Sequence, residues 1–162
     1  MTMRRAALVA MAAAWSVAGA MPAFAADGFD PLVGHWSCDG YFVKSGKKIV
    51  STLDVSRDAA TAALLVRHDD TAPNVYHAIE VWTSTQGAPP FRAAIANNGG
   101  MRWYTSDGWV DGTIVWSRSG QSEPEERFGY KIDAQGDLEV DWLIARPGEA
   151  LALGDRLSCR RG

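Results

Sequence analysis

An all-β chain closed into an up-and-down antiparallel β-barrel of about ten strands is the fold this sequence predicts, and three observations predict it. Apolar and polar residues alternate with a period of two along most of the chain, without a helical stripe. Turn-forming dipeptides interrupt the alternation at the regular spacing of a meander. The two cysteines, Cys38 and Cys159, fall on the first and last expected strands. In an oxidising compartment two such thiols pair, and the disulfide requires those strands to lie side by side. A sheet whose two ends meet is a barrel.

Residues 1–25 have the pattern of a cleaved secretory signal peptide. Arg4 and Arg5 form the positive start, residues 6–20 an apolar segment, and Ala23-Phe24-Ala25 a small-x-small cleavage site. The apolar segment is too short to span a bilayer, and nothing after it approaches the roughly 18 apolar residues a spanning helix needs. No cysteine stands at the cleavage point to carry a lipid. Residues 26–162 are expected to form a single domain, periplasmic or extracellular, large enough to bury a core. Removing Arg4 and Arg5 takes the net charge from −3 to −5. Such a surface argues against nucleic acid and anionic lipid as partners.

The first strand is expected over 33–43, opening on Gly34-His35-Trp36 and ending at the Ser45-Gly46 turn. The second covers 48–56, and residues 57–61 are where a helical turn competes with extended chain. The third, 62–69, turns through Asp70-Thr71-Ala72-Pro73 into the fourth, 74–84. The fifth, 90–97, meets the sixth, 100–106, at Asn97-Asn98-Gly99-Gly100, and Asp107-Gly108 leads into the seventh, 109–118. In the eighth, 125–132, and ninth, 137–145, large apolar side chains occupy one face; Gln135-Gly136 joins these two strands. Pro147-Gly148 precedes the tenth, 152–160. An even number of up-and-down strands closes antiparallel.

The run Gly34-His35-Trp36-Ser37-Cys38-Asp39-Gly40 carries a resemblance. Gly-x-Trp on the first strand with an arginine on the last is similar to the calycin superfamily of lipocalins, fatty-acid-binding proteins and avidins. The longer run resembles the Gly-x-Trp-x-Gly-x-Gly of nitrobindin-like ten-stranded barrels, with Cys38 in place of the middle glycine. The resemblance implies structural roles for Gly34 and Trp36, the Trp plugging the barrel floor, and an arginine packed over it, either Arg156 or Arg160. It also implies haem as a candidate cofactor. Nitrobindins ligate haem through a histidine late in the chain, and the last histidine here is His77.

Candidate chemistry is sparse. If the third and fourth strands turn about residues 70–73, His68 and His77 become diagonal neighbours and, with Asp70, a two-histidine, one-carboxylate metal site; a register slip of one residue separates them. The competing reading is a polar outer face and no metal. His35 is expected to point outward beside Trp36. The sequence has no Gly-x-Ser-x-Gly, and pairing consumes both thiols, so no catalytic residue is assigned. Glu139 and Asp141 alternate with Val140 and Trp142 and are expected to face solvent. Glu80 shares a face with Tyr76, Ala78 and Trp82. It reads either as an exposed charge or as an interior carboxylate paired with Arg67 or Arg92, because a buried charge must find a partner.

Six tryptophans follow the leader: Trp36, Trp82, Trp103, Trp109, Trp116 and Trp142. In a ten-stranded barrel, wider than side chains alone fill, they are expected to line a lumen that takes a small, largely apolar molecule. Its walls are then Trp82, Trp103, Trp116 and Trp142, with Tyr76, Glu80 and Arg92 as polar anchors. Ala93, Ala94 and Ala96, beside Met101 and Trp103, leave room on one wall. Trp109 is the candidate for carbohydrate stacking at a rim. Two rival readings stay open: a filled barrel acting as a protein-interaction or envelope-stress module through the loops at 85–90 and 119–125, and an enzyme built in the lumen.

Overall fold

The chain alternates inward and outward side chains strand after strand, and the computed structural model shows where that alternation leads for residues 27–85, 87–120 and 124–162. The expected signal peptide at 1–25 with its expected cleavage site, and parts of the 85–90 and 119–125 loops, lie outside the described residues. A short 3₁₀ helix, Asp30–Leu32, precedes strands β1 (Gly34–Phe42), β2 (Lys48–Arg57), β3 (Leu64–Asp70), β4 (His77–Thr85), β5 (Ala88–Asn97) and β6 (Gly100–Ser106). The strands β7 (Trp109–Val110), β8 (Thr113–Arg118), β9 (Glu126–Ile132), β10 (Leu138–Ile144) and β11 (Ala152–Arg161) complete it.

All pairings are antiparallel, in the order β6-β5-β4-β3-β2-β1-β11-β10-β9-β8, and β6 pairs with β8 to close a ring of ten strands. The expected strand at 109–118 is broken. Asp111 and Gly112 both take positive φ, 48° and 73°, so the segment folds back as the two-residue β7 paired to β8. At 58–62 a single helical turn forms: Asp58 Oδ1 accepts the backbone N–H of Thr61 at 2.8 Å, and the Ala62 N–H bonds the Asp58 carbonyl.

Cys38 stands directly opposite Cys159 in the β1–β11 ladder, and the two form a disulfide. It links residues 121 apart in sequence. On the chain-entropy model such a crosslink contributes about 5 kcal/mol by restricting the unfolded chain.

One end of the barrel is plugged by the segment before β1. The 3₁₀ turn sends Phe29 and Leu32 inward, where they are fully buried with Trp36, Leu53, Leu64, Trp82, Ile114 and Trp116. The Phe29 ring lies 5.6 Å from Trp82 and 5.0 Å from Phe91, both edge-on. Arg57 on β2 fixes the plug by donating to Asp27 and Asp30 at 2.6–3.0 Å. Trp36 Nε1 donates to the Leu32 carbonyl at 2.8 Å.

The arginine over Trp36 is Arg161, its direct partner in the ladder, rather than Arg156 or Arg160. Its guanidinium carbon sits 4.3 Å from the ring centroid and its nitrogens donate to the carbonyls of Pro31 and Val33. Arg156 alternates to the outer face and makes a bidentate pair with Asp141 at 2.7 Å, and Arg160 is exposed opposite Ser37. Gly34 takes φ +146°, and a Cβ there would collide with Arg161, so both the bend and the guanidinium require glycine.

Candidate functional site

The end opposite the plug stays open. Residues of the loops after β1, β3, β5 and β8, with the end of β10, ring a cavity of about 550 Å³ that reaches down to Tyr130. Apolar side chains from consecutive strands form much of it: Leu157, Phe42 and Ile49 on one side, Phe128, Val140, Trp142 and Ile144 on the other. Gly154 sits at a bulge in the β10–β11 ladder, and a Cβ there would lie 2.5 Å from the Trp142 ring. The glycine therefore lets the indole lie flat against β11.

Polar groups lie both within this lining and beneath it, and Lys47, Asn74, Asn97 and Asn98 add polar side chains near the mouth. Beneath the floor, Glu80 is 2% exposed and accepts from Trp82 Nε1 at 2.8 Å and from the Tyr130 hydroxyl at 3.0 Å. Burial pushes the Glu80 carboxyl up, opposed by the Trp82 bond, the His68 charge and the Tyr130 bond. On the β8–β10 side Glu126 accepts from the Tyr104 hydroxyl at 2.8 Å and from Trp142 Nε1 at 2.9 Å. Arg102 and Arg118 both stand 3.9 Å from that same carboxylate, so two cations share one anion.

On the β3–β11 side lie His68, Asp70 and Asp155. His68 Nε2 is 3.2 Å from Asp70 Oδ1, and its ring meets Tyr76 edge-on at 5.0 Å. The contact is not aligned as a hydrogen bond, and both atoms are buried without a hydrogen-bond partner among the described residues. Burial, opposed by His68 and reinforced by Asp70 and Asp141, pushes the Asp155 carboxyl up to about 7.

The expected ligand wall is redistributed. Tyr76 and Trp142 line the cavity. Glu80 is interior as the second of its two readings required, but its partners are Trp82 and Tyr130 rather than an arginine. Arg67 is outside with Asp69. Trp82 and Trp116 belong to the plugged end, their rings 4.8 Å apart in the packed core.

Arg92 and Trp103 are corrections. Both alternate outward from buried Phe91, Ala93 and Tyr104, and Trp103 is 60% exposed. The small wall fails for the same reason: Ala94 and Ala96 lie outside, paired with Trp103 and Met101, and Ala93 is core. Trp109 is half-buried against the plug, with Nε1 donating to the Asp27 carbonyl, and does not stand at an open rim.

The histidine pair is separated by register. His77 pairs with Asp69 on the outer face, Nδ1 to Oδ1 at 2.8 Å, while His68 points inward. Among the described residues no group of three or more His, Cys, Asp or Glu is placed to hold a metal ion. His35 is exposed beside Asp54, and Glu139 and Asp141 face outward around Arg156.

The sequence points to His68 only as a metal ligand and to Asp70 only as a metal ligand and turn residue, and no expectation attaches to Arg102, Arg118, Glu126, Tyr130 and Asp155. Each is in phase with a buried apolar residue on its own strand: Arg102 with Tyr104, Arg118 with Trp116, Asp155 with Leu157. Alternation extended to the strand end is the signal that finds them. Fold and cavity together define a closed ten-stranded barrel with a lumen open at one end. Compared with known protein families and with curated proteins, the sequence matches none.

Proposed function

We propose that this chain is an exported, calycin-like binding protein, periplasmic or extracellular, that holds a small, largely apolar molecule in its lumen without transforming it. The observation that carries the reading is the cavity. Its volume of about 550 Å³ falls within the range typical of small-molecule sites, and its aromatic and aliphatic wall carries a few convergent polar groups. The buried disulfide suits an oxidising compartment.

The test is occlusion. Ile144 lines the cavity and is only half-buried, so Ile144→Trp adds bulk to the lumen without crowding the plugged core. Titration with decanol, followed by Trp142 fluorescence and calorimetry, is expected to show saturable binding in the parent. The variant should weaken it at least tenfold at an unchanged melting temperature. Equal decanol affinity in both proteins would overturn the reading.

A second reading rests on the outer face of β4–β6. There Ile79, Ala96 and Met101 form one cross-strand row and Val81, Ala94 and Trp103 the next, with Ile79, Met101 and Trp103 more than half exposed. Such an apolar patch suits a protein partner. The raised Asp155 carboxyl in the cavity is the observation that favours a lumen enzyme.

A further inference from the structure

We infer that the lumen is built for an aromatic carboxylic acid, whose carboxylate sits between Arg102 and Arg118 and whose ring lies over Phe128 and Trp142. The inference rests on the lumen-binding reading and names the class of ligand the lumen prefers.

Arg102, near the start of β6, and Arg118, at the end of β8, line the cavity with side chains 31% and 20% exposed. Glu126 does not use up their hydrogen-bonding capacity. Each guanidinium stands 3.9 Å from Glu126 Oε2, beyond hydrogen-bond reach, while that carboxylate already accepts from Tyr104 and Trp142 at 2.8 and 2.9 Å. Among the described residues Arg118 makes one hydrogen bond, to the Pro124 carbonyl at 3.5 Å, and Arg102 makes none. Two cations beside one carboxylate leave a single positive charge in surplus, with N–H donors to spare. A ligand carboxylate matches both, because its planar pair of oxygens fits the guanidinium fork. A doubly charged phosphate leaves one charge unmatched.

The other charged side chains that line the cavity, Lys47, Asp70 and Asp155, come from the β1–β2 turn, β3 and β11, three or more strands from both β6 and β8. That is about 14 Å along the wall, so Asp70 and Asp155 do not oppose an anion at close range.

The ring site lies one inward position deeper. Phe128 follows Glu126 by two residues on β9, about 7 Å along the strand, and pairs directly with Trp142 on β10. Both side chains are half-buried and line the cavity. One face of the Trp142 ring rests on Gly154, which leaves the opposite face for the lumen, and Phe128 meets Tyr104 edge-on at 5.5 Å. A short linker between ring and carboxylate spans the distance from this shelf to the arginines. A saturated body buries the same area without the ring–ring geometry.

The experiment is calorimetric titration of the disulfide-bonded protein at neutral pH with naphthylpropanoate, naphthylpropanol and decahydronaphthylpropanoate, alongside decanol. Naphthylpropanoate is expected to bind at least tenfold tighter than naphthylpropanol and at least threefold tighter than its saturated analogue. Arg102→Gln should cut the ratio of acid to alcohol affinity at least threefold, and the double variant with Arg118→Gln should bring it to about one. Naphthylpropanol binding the parent protein as tightly as naphthylpropanoate overturns the carboxylate site, and the saturated acid binding as tightly overturns the aromatic shelf; neither comparison needs a variant. An unchanged ratio in folded Arg102→Gln also overturns the inference. Failure of all four probes to bind overturns the lumen reading on which it rests.

Discussion

Trp36 does two jobs through one side chain: its indole N–H ties the plug at Leu32 while its ring supports Arg161. Trp36→Ala is therefore expected to lower stability by about 3–5 kcal/mol, measured by urea unfolding. A loss below about 1 kcal/mol would show that the plug holds without it. Asp155 makes the opposite kind of contribution. Its carboxyl is raised from 3.8 to about 7, so the folded state prefers the protonated form. Stability from this group is fully present below about pH 4 and is lost as pH rises through about 7, and Glu80 acts in the same direction. Asp155→Asn should flatten that slope and raise stability above pH 7 by on the order of 2–4 kcal/mol, read from unfolding midpoints between pH 4 and 8. An identical slope in both proteins would show that Asp155 is solvated.

Among the elements, the segment before β1 turns an open-ended barrel into a one-ended container. It carries little regular structure, and its order derives from Arg57, which gathers Asp27, Asp30 and the Ala62 carbonyl. Arg57→Ala should increase hydrogen exchange at residues 27–33 while leaving the β1–β11 ladder protected; unchanged exchange in the plug would contradict this role. The strands themselves were legible because period-two alternation and Gly-containing turns are local properties, and nine of the ten expected ranges correspond to single strands. The seventh broke at Asp111-Gly112 because a second turn signal lay inside an apolar run. The arginine over Trp36 was misplaced for a different reason. Cross-strand register selects Arg161 over Arg156 and Arg160, and nothing local in the sequence distinguishes the three.

For the whole molecule, barrel closure followed from Cys38 and Cys159 because a covalent link reports a long-range contact directly. The site was less legible. Tryptophan content located apolar mass correctly, yet Trp82 and Trp116 fill the plugged end and Trp103 lies outside, since composition carries no information about which end of a barrel is filled. The cavity arises where the inner face changes from large apolar residues to Asp70, Arg102, Arg118, Glu126 and Asp155, groups that resist close packing when charged. The most direct measurement of the lumen-binding account is a backbone amide NMR titration with decanol. The account predicts shift changes concentrated at Tyr76, Phe128, Tyr130, Val140, Trp142 and Leu157, with Ile79, Met101 and Trp103 unmoved. Shifts confined to the outer face at Ile79, Met101 and Trp103 would contradict it.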